Sequence, residues 1–369
     1  MMAVKRVLFI ASHRPDRAPG QRFRFEQYFS YLEENGYSCE LSWLLNEEDD
    51  SIFYSKGNVL NKAAMLTKHH RKRMLDLRRI HEYDIVFIFR EALMTRSLYF
   101  EKRISTSGAR VIFDFDDAIW LNDTSDANRL FKWMKRPSKI ADTIGLADLV
   151  FAGNSYLANY ARQFNQNVVV VPTTIDTDQY INHRIQRNDQ RILIGWSGSI
   201  TTIKHFEYAL PFLTVIRDRF GDKVAFKVIG DGSYRNSQLN IQGIPWRKQS
   251  EISDLSEIDI GIMPLPDDEW ARGKCGLKGL QYMALSIPTI MSPVGVNRDI
   301  IQDGVNGFLA SNLEQWVEKI SLLITDRAIA AQIGRAARQT VLEKYSVNAN
   351  RDLYLRQFSA LCGQKNILK

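Results

Sequence analysis

The stretch IDIGIMPLPDDEWARGKCGLKGLQYMALSIPTIMS, residues 258–292, contains the pattern that sets the fold class. It predicts a buried strand over 258–265, a charged, glycine-containing loop, a helix near 277–285 and a second buried strand over 288–292. Continuous apolar strands that alternate with helices are typical of parallel sheets covered on both faces. In such sheets ligands bind beyond the carboxyl ends of the strands, so the loop over 266–276 is a candidate site.

The same strand–loop–helix pattern recurs along the chain in two series. Buried strands are predicted at 6–12, 83–89, 109–115, 147–153 and 167–172, and again at 190–198, 224–232, 258–265 and 288–292. The polar stretch NHRIQRNDQ (182–190) separates the two series and is typical of a linker. The predicted fold class is therefore α/β, with two doubly wound, Rossmann-like parallel-sheet domains. We expect the first domain over 1–185, the second over 186–345 and a final helix over 346–369.

Composition restricts the class of protein and of partner. The chain of 369 residues is 45% hydrophobic and carries 49 Lys and Arg against 42 Asp and Glu, a formal charge of +7. This excess favours an anionic partner, such as a phosphorylated small molecule, an anionic membrane surface or a nucleic acid. Cys39, Cys275 and Cys362 form no metal-ligand pair or disulfide framework, which fits a reducing cytosol. No run approaches the roughly 20 apolar residues of a membrane span, so any membrane contact is expected to be peripheral.

The segment GWSGSITTIK (195–204) predicts a strand end, a tight turn and a helix start. Gly198 allows a ligand to approach the backbone, Ser199 can cap the helix, and Lys204 adds a positive charge. A helix N-terminus beside a lysine suits a phosphate group. An ordinary capped corner between a strand and a helix would have the same sequence, so both interpretations stay open.

The segment GKCGLK (273–278) follows the next strand of the second series. Gly276 lies at the predicted helix start, and Lys274 and Lys278 flank it. Backbone N–H donors and lysine charge would together hold an anionic group there. The alternative is a solvated charged loop ahead of a buried helix.

Charged side chains also follow strands of the first series. In the segment DFDDAIW (114–120), Asp114 and Asp116 form an Asp-x-Asp pair that could bind a metal. Asp116 and Asp117 could instead position a sugar hydroxyl or act as acid and base. The glycine loop APGQRFR (18–24) places two arginines at a helix start, where they could contact a phosphate or an acceptor. These arginines could equally belong to an ordinary amphipathic helix.

The segment KHHRKRMLDLRR (68–79) predicts a strongly basic helix. Such a run is either a solvated face or a surface that docks on anionic lipid headgroups. Nucleic acid is a weaker prediction because no known DNA- or RNA-binding module is present. The six histidines show no metal-ligand spacing, and no metal site is expected.

Taken together, these segments resemble the family 4 glycosyltransferases of the GT-B fold. The most specific parts are IGWSGSITTIKH, VIGDG and the block from DIGIMPL to NGFL, and SHRPDRAPGQRFRFEQY, DFDDAIW, AGNSYLANYA and VVPTTIDTDQY add to them. The resemblance implies two Rossmann-like domains facing across a cleft, with the acceptor on the N-terminal and a nucleotide-diphosphate sugar on the C-terminal domain. It also implies retention of anomeric configuration, no obligatory metal cofactor, and a final helix that crosses back to the N-terminal domain.

The resemblance further implies roles for individual residues. Asp116 and Asp117 lie roughly where many members carry a sugar-contacting histidine, and they are the predicted catalytic residues. The implied donor-binding residues are Gly20, Gly198, Ser199, Lys204, Gly230, Gly232, Lys274, Gly276, Leu277, Lys278, Gln281, Gly295, Val296 and Asn297. The expected acceptor-side residues are Arg22, Arg24 and Asn154.

This sequence departs from the family at two glutamates that members often carry eight positions apart. Gly273 and Gln281 stand in their places. Gln281 can still hydrogen-bond a ribose hydroxyl. The nearest candidates to replace the first carboxylate are Asp267, Asp268 and Glu269.

The expected function is transfer of a hexose-type sugar from a UDP- or GDP-sugar to a glycan or lipid-linked acceptor. Bacterial cell-surface polysaccharide biosynthesis is the expected setting, in the cytoplasm or at the inner face of the plasma membrane, with the helix over 68–79 as a peripheral membrane contact. The alternatives are a nucleotide-sugar epimerase of related fold and a catalytically degenerate nucleotide-sugar-binding protein. No nucleic-acid partner is expected.

Overall fold

A computed structural model describes residues 4–54, 58–121, 136, 138–182 and 190–363. The chain forms two compact units: the first comprises Met1–Pro172 and Arg351–Lys369, and the second comprises Thr173–Asn350. The domain boundary predicted at 185 lies outside the described residues, as do residues 364–369 of the predicted final helix.

The first unit is built on a six-stranded parallel sheet. Its strands are β1 (Lys5–Ile10), β2 (Tyr37–Ser42), β3 (Ile85–Phe89), β4 (Arg110–Phe115), β5 (Leu149–Ala152) and β6 (Val168–Val170). They pair in the order β2-β1-β3-β4-β5-β6, so the chain leaves β1 towards one edge and returns on its other side. This reversal places a switch point, where α/β folds bind ligands, between the carboxyl ends of β1 and β3.

Helices cover the faces of this sheet. They are α1 (Pro19–Arg22), α2 (Phe29–Glu34), α3 (Glu47–Tyr54), α4 (Val59–Arg79), α5 (Tyr99–Ser105), α6 (Ser138–Leu146) and α7 (Ser155–Ala161). The basic segment over 68–79 forms the second half of α4, as predicted. None of the helices in the described part of the chain is long and apolar enough to cross a membrane.

The second unit repeats the architecture. Its strands are β7 (Ile192–Ser197), β8 (Val224–Gly230), β9 (Arg235–Asn236), β10 (Ile241–Gln242), β11 (Ile244–Pro245), β12 (Ile260–Met263), β13 (Thr289–Met291) and β14 (Phe308–Leu309). A parallel sheet has the order β11-β8-β7-β12-β13-β14, and β9 and β10 form a separate antiparallel pair. The predicted fold class, α/β with two doubly wound parallel sheets, is therefore confirmed.

The helices of the second unit enclose a core that contains Trp196 of β7, which is fully buried, and Trp316. They are α8 (Ile203–Glu207), α9 (Leu210–Phe220), α10 (Glu251–Ser256), α11 (Glu269–Arg272), α12 (Leu277–Ala284), α13 (Asn297–Ile300), α14 (Leu313–Thr325) and α15 (Arg327–Thr340). The last helix, α16 (Val347–Gly363), begins in the second unit and continues into the first, whose Phe9 and Tyr28 rings it contacts through Phe358 and Tyr354.

The sequence assigns residues 173–185 to the first domain, but the structure places the described part of this segment in the second unit. The Ile175 N–H donates to the Tyr345 carbonyl at 2.8 Å, and the Tyr180 hydroxyl donates to Glu251 Oε2 at 2.9 Å. Arg338 also donates to the Tyr180 carbonyl at 2.7 Å. These contacts join residues far apart in sequence, so the polar composition of a linker does not reveal them.

Candidate functional site

The carboxyl ends of β7 and β8 lie directly against each other in the second unit. The Gly198 N–H donates to the Ile229 carbonyl at 2.9 Å. A Cβ atom on Gly230, whose φ is +136°, would lie 2.8 Å from the Gly198 carbonyl carbon and closer still to its oxygen. A Cβ on Gly198 would in turn collide with the Trp196 ring. Only glycine fits at both positions, because the Trp196 ring and the Gly198 carbonyl fill the space that a Cβ would occupy.

The turn after Gly198 is held by a capping box. The Ser199 N–H donates to Thr202 Oγ1 at 2.9 Å, and the Ser199 side chain caps in return, ahead of α8. Gly232 lies one turn beyond the end of β8, where a Cβ would approach the Pro245 ring at 3.0 Å. The predicted cap at Ser199 is therefore present, as part of a short 3₁₀ turn over Ile200–Thr202.

The loop between β12 and α12 brings the second pair of predicted lysines to the site. Gly276 has φ +73° and is the N-cap of α12, and Leu277 is its first residue. The Lys274 ammonium lies 5.0 Å from the Trp270 ring centre, and the Lys278 ammonium lies 5.6 Å from that of Trp196. Because Trp196 lies beneath Gly198, Lys278 of α12 is held beside the loop that follows β7.

The charges of all three predicted lysines lower the pKa of one side chain, His205 of α8. Its side chain is buried, and the pKa of His205 is lowered to about 4, first by burial and then by the charges of Lys278, Lys274 and Lys204, while Asp268 opposes the shift. We call these three lysines, whose charges all lower the pKa of His205, the cationic cluster.

The loop after β13 packs against the same helix start. A Cβ on Gly276 would meet Val296 Cγ1 at 3.4 Å and Asn297 Oδ1 at 3.7 Å. Gly295 has φ +53°, and a Cβ there would lie 2.6 Å from the Arg272 carbonyl oxygen. The buried Asn297 donates through Nδ2 to the Ser292 carbonyl at 2.9 Å. The donor-binding residues predicted at 295–297 therefore lie beside those at 274–278.

Tyr282, which the sequence did not single out, fastens α12 to the end of β7. Its fully buried hydroxyl accepts a hydrogen bond from the Ser197 N–H at 2.6 Å, and burial raises its pKa. The contact fixes how α12 lies relative to the loop at 198–204. The sequence places Tyr282 directly after Gln281, on a helix that follows the end of a strand. That position could have marked it as a residue near the site.

Gln281 of α12 takes part in a buried polar network. It is buried, and its Nε2 donates to the Tyr180 hydroxyl at 2.8 Å and to Glu251 Oε1 at 3.2 Å. The same Glu251 oxygen accepts from Trp246 Nε1 at 2.8 Å. The amide nitrogen of Gln281 is thus used within a buried polar network that sequence spacing does not show, and the ribose contact stays a prediction.

The acids proposed to replace the missing glutamate have local partners. Asp267 accepts from Arg272 Nε at 2.8 Å, and this hydrogen bond lowers the pKa of Asp267. Asp268 is the N-cap of α11 and accepts from the Ala271 N–H at 2.7 Å. The buried carboxylate that lies nearest to Gln281 in the described network is instead Glu251 of α10.

In the first unit, the predicted catalytic acids are paired with an arginine that the sequence did not single out. Arg90 donates through Nε to Asp116 Oδ1 at 2.7 Å and through Nη2 to Asp117 Oδ2 at 2.8 Å. It directly follows β3, and its φ of +63° is unusual for a residue other than glycine. A Cβ on Gly20 would lie 3.0 Å from Asp116 Oδ2, so the loop after β1 closes on the same cluster. The strand-end rule could have found Arg90.

Two of the three predicted acceptor-side residues have buried positions in the first unit. Arg24 is fully buried and forms an ion pair with Asp114 of β4, with Nε 3.2 Å from Oδ2, while also donating to the Val171 carbonyl. Asn154 is the buried N-cap of α7 and accepts from the Leu157 N–H at 2.9 Å. Both side chains thus have buried partners within the first unit, and their contact with an acceptor stays a prediction. Arg22 stays half-buried, with its guanidinium 4.9 Å from the Phe23 ring centre.

Within the described residues, no group of three or more His, Cys, Asp or Glu side chains is arranged to hold a metal ion. Asp116 and Asp117 share Arg90 instead. That the reaction requires no metal stays a prediction.

Comparison with solved structures identifies the fold. A glycosyltransferase from Rickettsia africae matches with a TM-score of 0.68 and 14% identity over 98% of this chain and 99% of its own. HepE of Anabaena, in complex with UDP and glucose, matches with a TM-score of 0.64 and 14% identity over 97% of this chain and 100% of its own. The fold is that of the GT-B glycosyltransferases.

Sequence comparison finds a family match within the second unit. Residues 191–326 match the model of the glycosyl transferases group 1 family, and this segment contains every loop of the cationic cluster. Sulfoquinovosyl transferase SQD2 of Arabidopsis thaliana is 28% identical over 221 residues, which are 55% of this chain and 40% of that protein. The chain thus spans less than half the length of this curated relative. These similarities support a glycosyltransferase.

Proposed function

We propose that the chain is a retaining glycosyltransferase that moves a hexose-type sugar from a UDP- or GDP-sugar to a glycan or lipid-linked acceptor. The observation that carries this proposal is the convergence of the loops after β7, β12 and β13 near the start of α12, where the Lys278 ammonium lies 5.6 Å from the Trp196 ring centre. This convergence lies within the segment that matches the group 1 family. The UDP bound to the structurally similar HepE supports a uridine nucleotide among the candidate donors.

The chemistry of the cluster suits the departure of a nucleoside diphosphate. Breaking the bond between sugar and diphosphate leaves negative charge on the phosphate oxygen. Fixed ammonium groups that meet this charge stabilise the transition state more than the ground state. Lys278, held near Trp196, would meet this charge with little reorganisation.

In the first unit, we propose that Asp116 and Asp117 bind sugar hydroxyls. Both carboxylates accept hydrogen bonds from Arg90, which holds them side by side at the ends of β3 and β4. The setting that we propose is bacterial cell-surface polysaccharide biosynthesis in the cytoplasm. Cys39, Cys275 and Cys362 form no disulfide, which fits a reducing compartment.

Nucleotide binding tests the site. Calorimetry with UDP, GDP and their glucose conjugates should show saturable binding to the intact protein, and the preferred nucleotide should raise its melting temperature. Alanine at Lys204, Lys274 or Lys278 should weaken that binding roughly 10- to 100-fold, because a hydrogen bond to a charged group contributes about 1.5–3 kcal/mol. Lys223→Ala is the matched control, since Lys223 is an exposed lysine elsewhere in the same unit. Unchanged affinity in all three variants would remove the site.

Turnover separates the activity from mere binding. With the preferred donor and a panel of glycan acceptors, release of free nucleotide should depend on acceptor, and the new linkage should keep the donor's anomeric configuration by NMR. An isomerised sugar after incubation with donor alone would identify an epimerase instead. Binding without transfer to any acceptor would identify a degenerate sugar-nucleotide-binding protein. Full activity after exhaustive chelation would establish that no metal is needed.

A further inference from the structure

A surface groove lies between α4 and β2, the edge strand of the first unit. Its volume is about 530 Å³, and its cationic lining consists of Lys68, Arg71, Lys72 and Arg79. Glu40 and Asp76 are its acidic lining residues, so positive charge exceeds negative charge. The groove is remote in sequence from the loops of the second unit that carry the proposed donor site.

The cations of α4 have different roles, and only some are available to a partner. Arg73 is buried and donates to the carbonyl oxygens of Ala92 at 2.6 Å and Ala11 at 2.7 Å. It therefore fastens the helix to the unit and fixes which face points outward. This placement corrects the simple prediction that the whole basic stretch over 68–79 is a contact surface.

Two further cations are engaged in surface ion pairs. Lys68 lies 2.7 Å from Asp49 Oδ2, and Arg79 lies 3.0 Å from Glu40 Oε2. Arg71 and Lys72 have no ion pair within the described part of the chain. Lys72 lies 4.5 Å from the ring centre of the half-buried Trp43, and burial lowers its pKa, so an anion placed there would stabilise its charged form.

The outward face of α4 also carries an exposed leucine. Leu75 is 55% exposed. Side chains three and four positions away on a helix are its neighbours, and at Leu75 all four of these are basic. They are Arg71, Lys72, Arg78 and Arg79. An apolar side chain ringed by cations is the pattern of a helix that lies in a membrane interface.

We propose that this face of α4 docks on a bilayer containing anionic phospholipid, with Leu75 entering the headgroup region and Arg71, Lys72 and Arg78 contacting lipid phosphates. A bilayer fits better than a nucleic acid because an exposed leucine gains nothing from a phosphate backbone, whereas it gains from burial among acyl chains. Trp43 beside Lys72 supports the same choice, since tryptophan favours the level of the headgroups. The proposal goes beyond the transferase activity and does not depend on it.

Co-sedimentation of the full chain with vesicles tests the proposal. The protein should bind vesicles of phosphatidylcholine mixed with phosphatidylglycerol, should bind pure phosphatidylcholine weakly, and should dissociate with added salt. Each basic residue near an anionic surface adds roughly fivefold to partitioning, so Arg71→Glu/Lys72→Glu should lose about 25-fold or more. Leu75→Gln should also weaken binding while the salt dependence remains.

Matched controls separate this face from general charge and exposure. Lys102→Glu/Arg103→Glu makes the same charge change on α5 of the same unit, and Leu313→Gln removes a leucine that is 42% exposed elsewhere. Both should bind vesicles like the unchanged protein. Equal losses in the α4 and α5 charge variants would overturn the proposal, as would no binding to anionic vesicles. Binding to duplex oligonucleotide without vesicle binding would overturn it in favour of a nucleic acid. Nucleotide affinity, measured on the same variants, should be unchanged and shows separately whether the donor site is intact.

Discussion

Gly230→Ala is the substitution that most directly tests the geometry of the proposed donor site. The ends of β7 and β8 approach so closely that a methyl group at residue 230 would lie 2.8 Å from the Gly198 carbonyl carbon and 3.4 Å from the Ser199 nitrogen. These are backbone atoms, which cannot rotate away as a flexible side chain can. The φ of +136° adds a second cost, because residues with a Cβ rarely adopt it.

The two costs can be estimated separately. A left-handed backbone costs a residue with a Cβ roughly 1–2 kcal/mol relative to glycine. Overpacking in a tight region costs about 1–3 kcal/mol more. Gly230→Ala should therefore lower the free energy of unfolding of the second unit by roughly 2–5 kcal/mol.

Gly221→Ala isolates the backbone part of this cost. Gly221 also has a positive φ, +54°, and belongs to the same unit, but no atom lies within 4 Å of its Cβ position. Its cost should be limited to the backbone part, about 1–2 kcal/mol. Urea unfolding followed by circular dichroism gives both values. Gly230→Ala should also weaken nucleotide binding, because relieving the clash displaces Gly198 and Ser199. If the two variants agree within about 0.5 kcal/mol, the close approach of the two loops is refuted.

Three further predictions concern buried polar groups. Since the pKa of His205 is about 4 in the folded protein and 6.5 as the ordinary value, the unfolded chain gains the proton first as pH falls. Stability should fall between pH 6.5 and 4 by up to about 3 kcal/mol, and His205→Asn should lack this part of the decline in urea titrations across that range. Gln281→Glu should not restore a family-like site but should destabilise the fold by about 1–3 kcal/mol at neutral pH. The reason is that a second carboxylate would lie beside Glu251 and that the hydrogen-bond donor to Tyr180 is lost. Greater stability or higher turnover would contradict this prediction. Arg24→Met should lower the free energy of unfolding by about 3–5 kcal/mol, because it leaves Asp114 buried without its partner. Nucleotide affinity should be unchanged. A small loss of stability would show that the pair is not buried as described.

The alternation of strands and helices was predictable from the sequence because it depends on local patterns. Buried strands such as 85–89 are continuous apolar runs. The helix at 59–79 is likewise indicated by residues within its own segment. The glycine-containing turns after β7 and β12 were predictable for the same reason, since glycine and capping residues act within a few positions of their own place in the chain. The lysines at 204, 274 and 278 belong to these turns.

The roles of individual polar residues were less predictable because they depend on contacts between distant parts of the chain. Arg24 was predicted to contact an acceptor, but it forms a buried ion pair with Asp114, 90 positions away. Gln281 was predicted to contact a ribose, but its amide donates hydrogen bonds to Tyr180 and to Glu251, which is 30 positions away. Arg90 was missed because its role is to pair with Asp116 and Asp117. These acids lie beside it only when β3 and β4 pair in the folded sheet.

The sequence by itself therefore determined that this is a two-sheet α/β protein with a cationic, glycine-lined loop set after the strands of its second half. Hydrophobic periodicity and turn chemistry act over a few residues, so they can be read without a fold. Only the tertiary structure decided which polar side chains remain at the site and which are buried as structural pairs. Burial of a charge is tolerated only where a partner meets it, and that partner is supplied by folding.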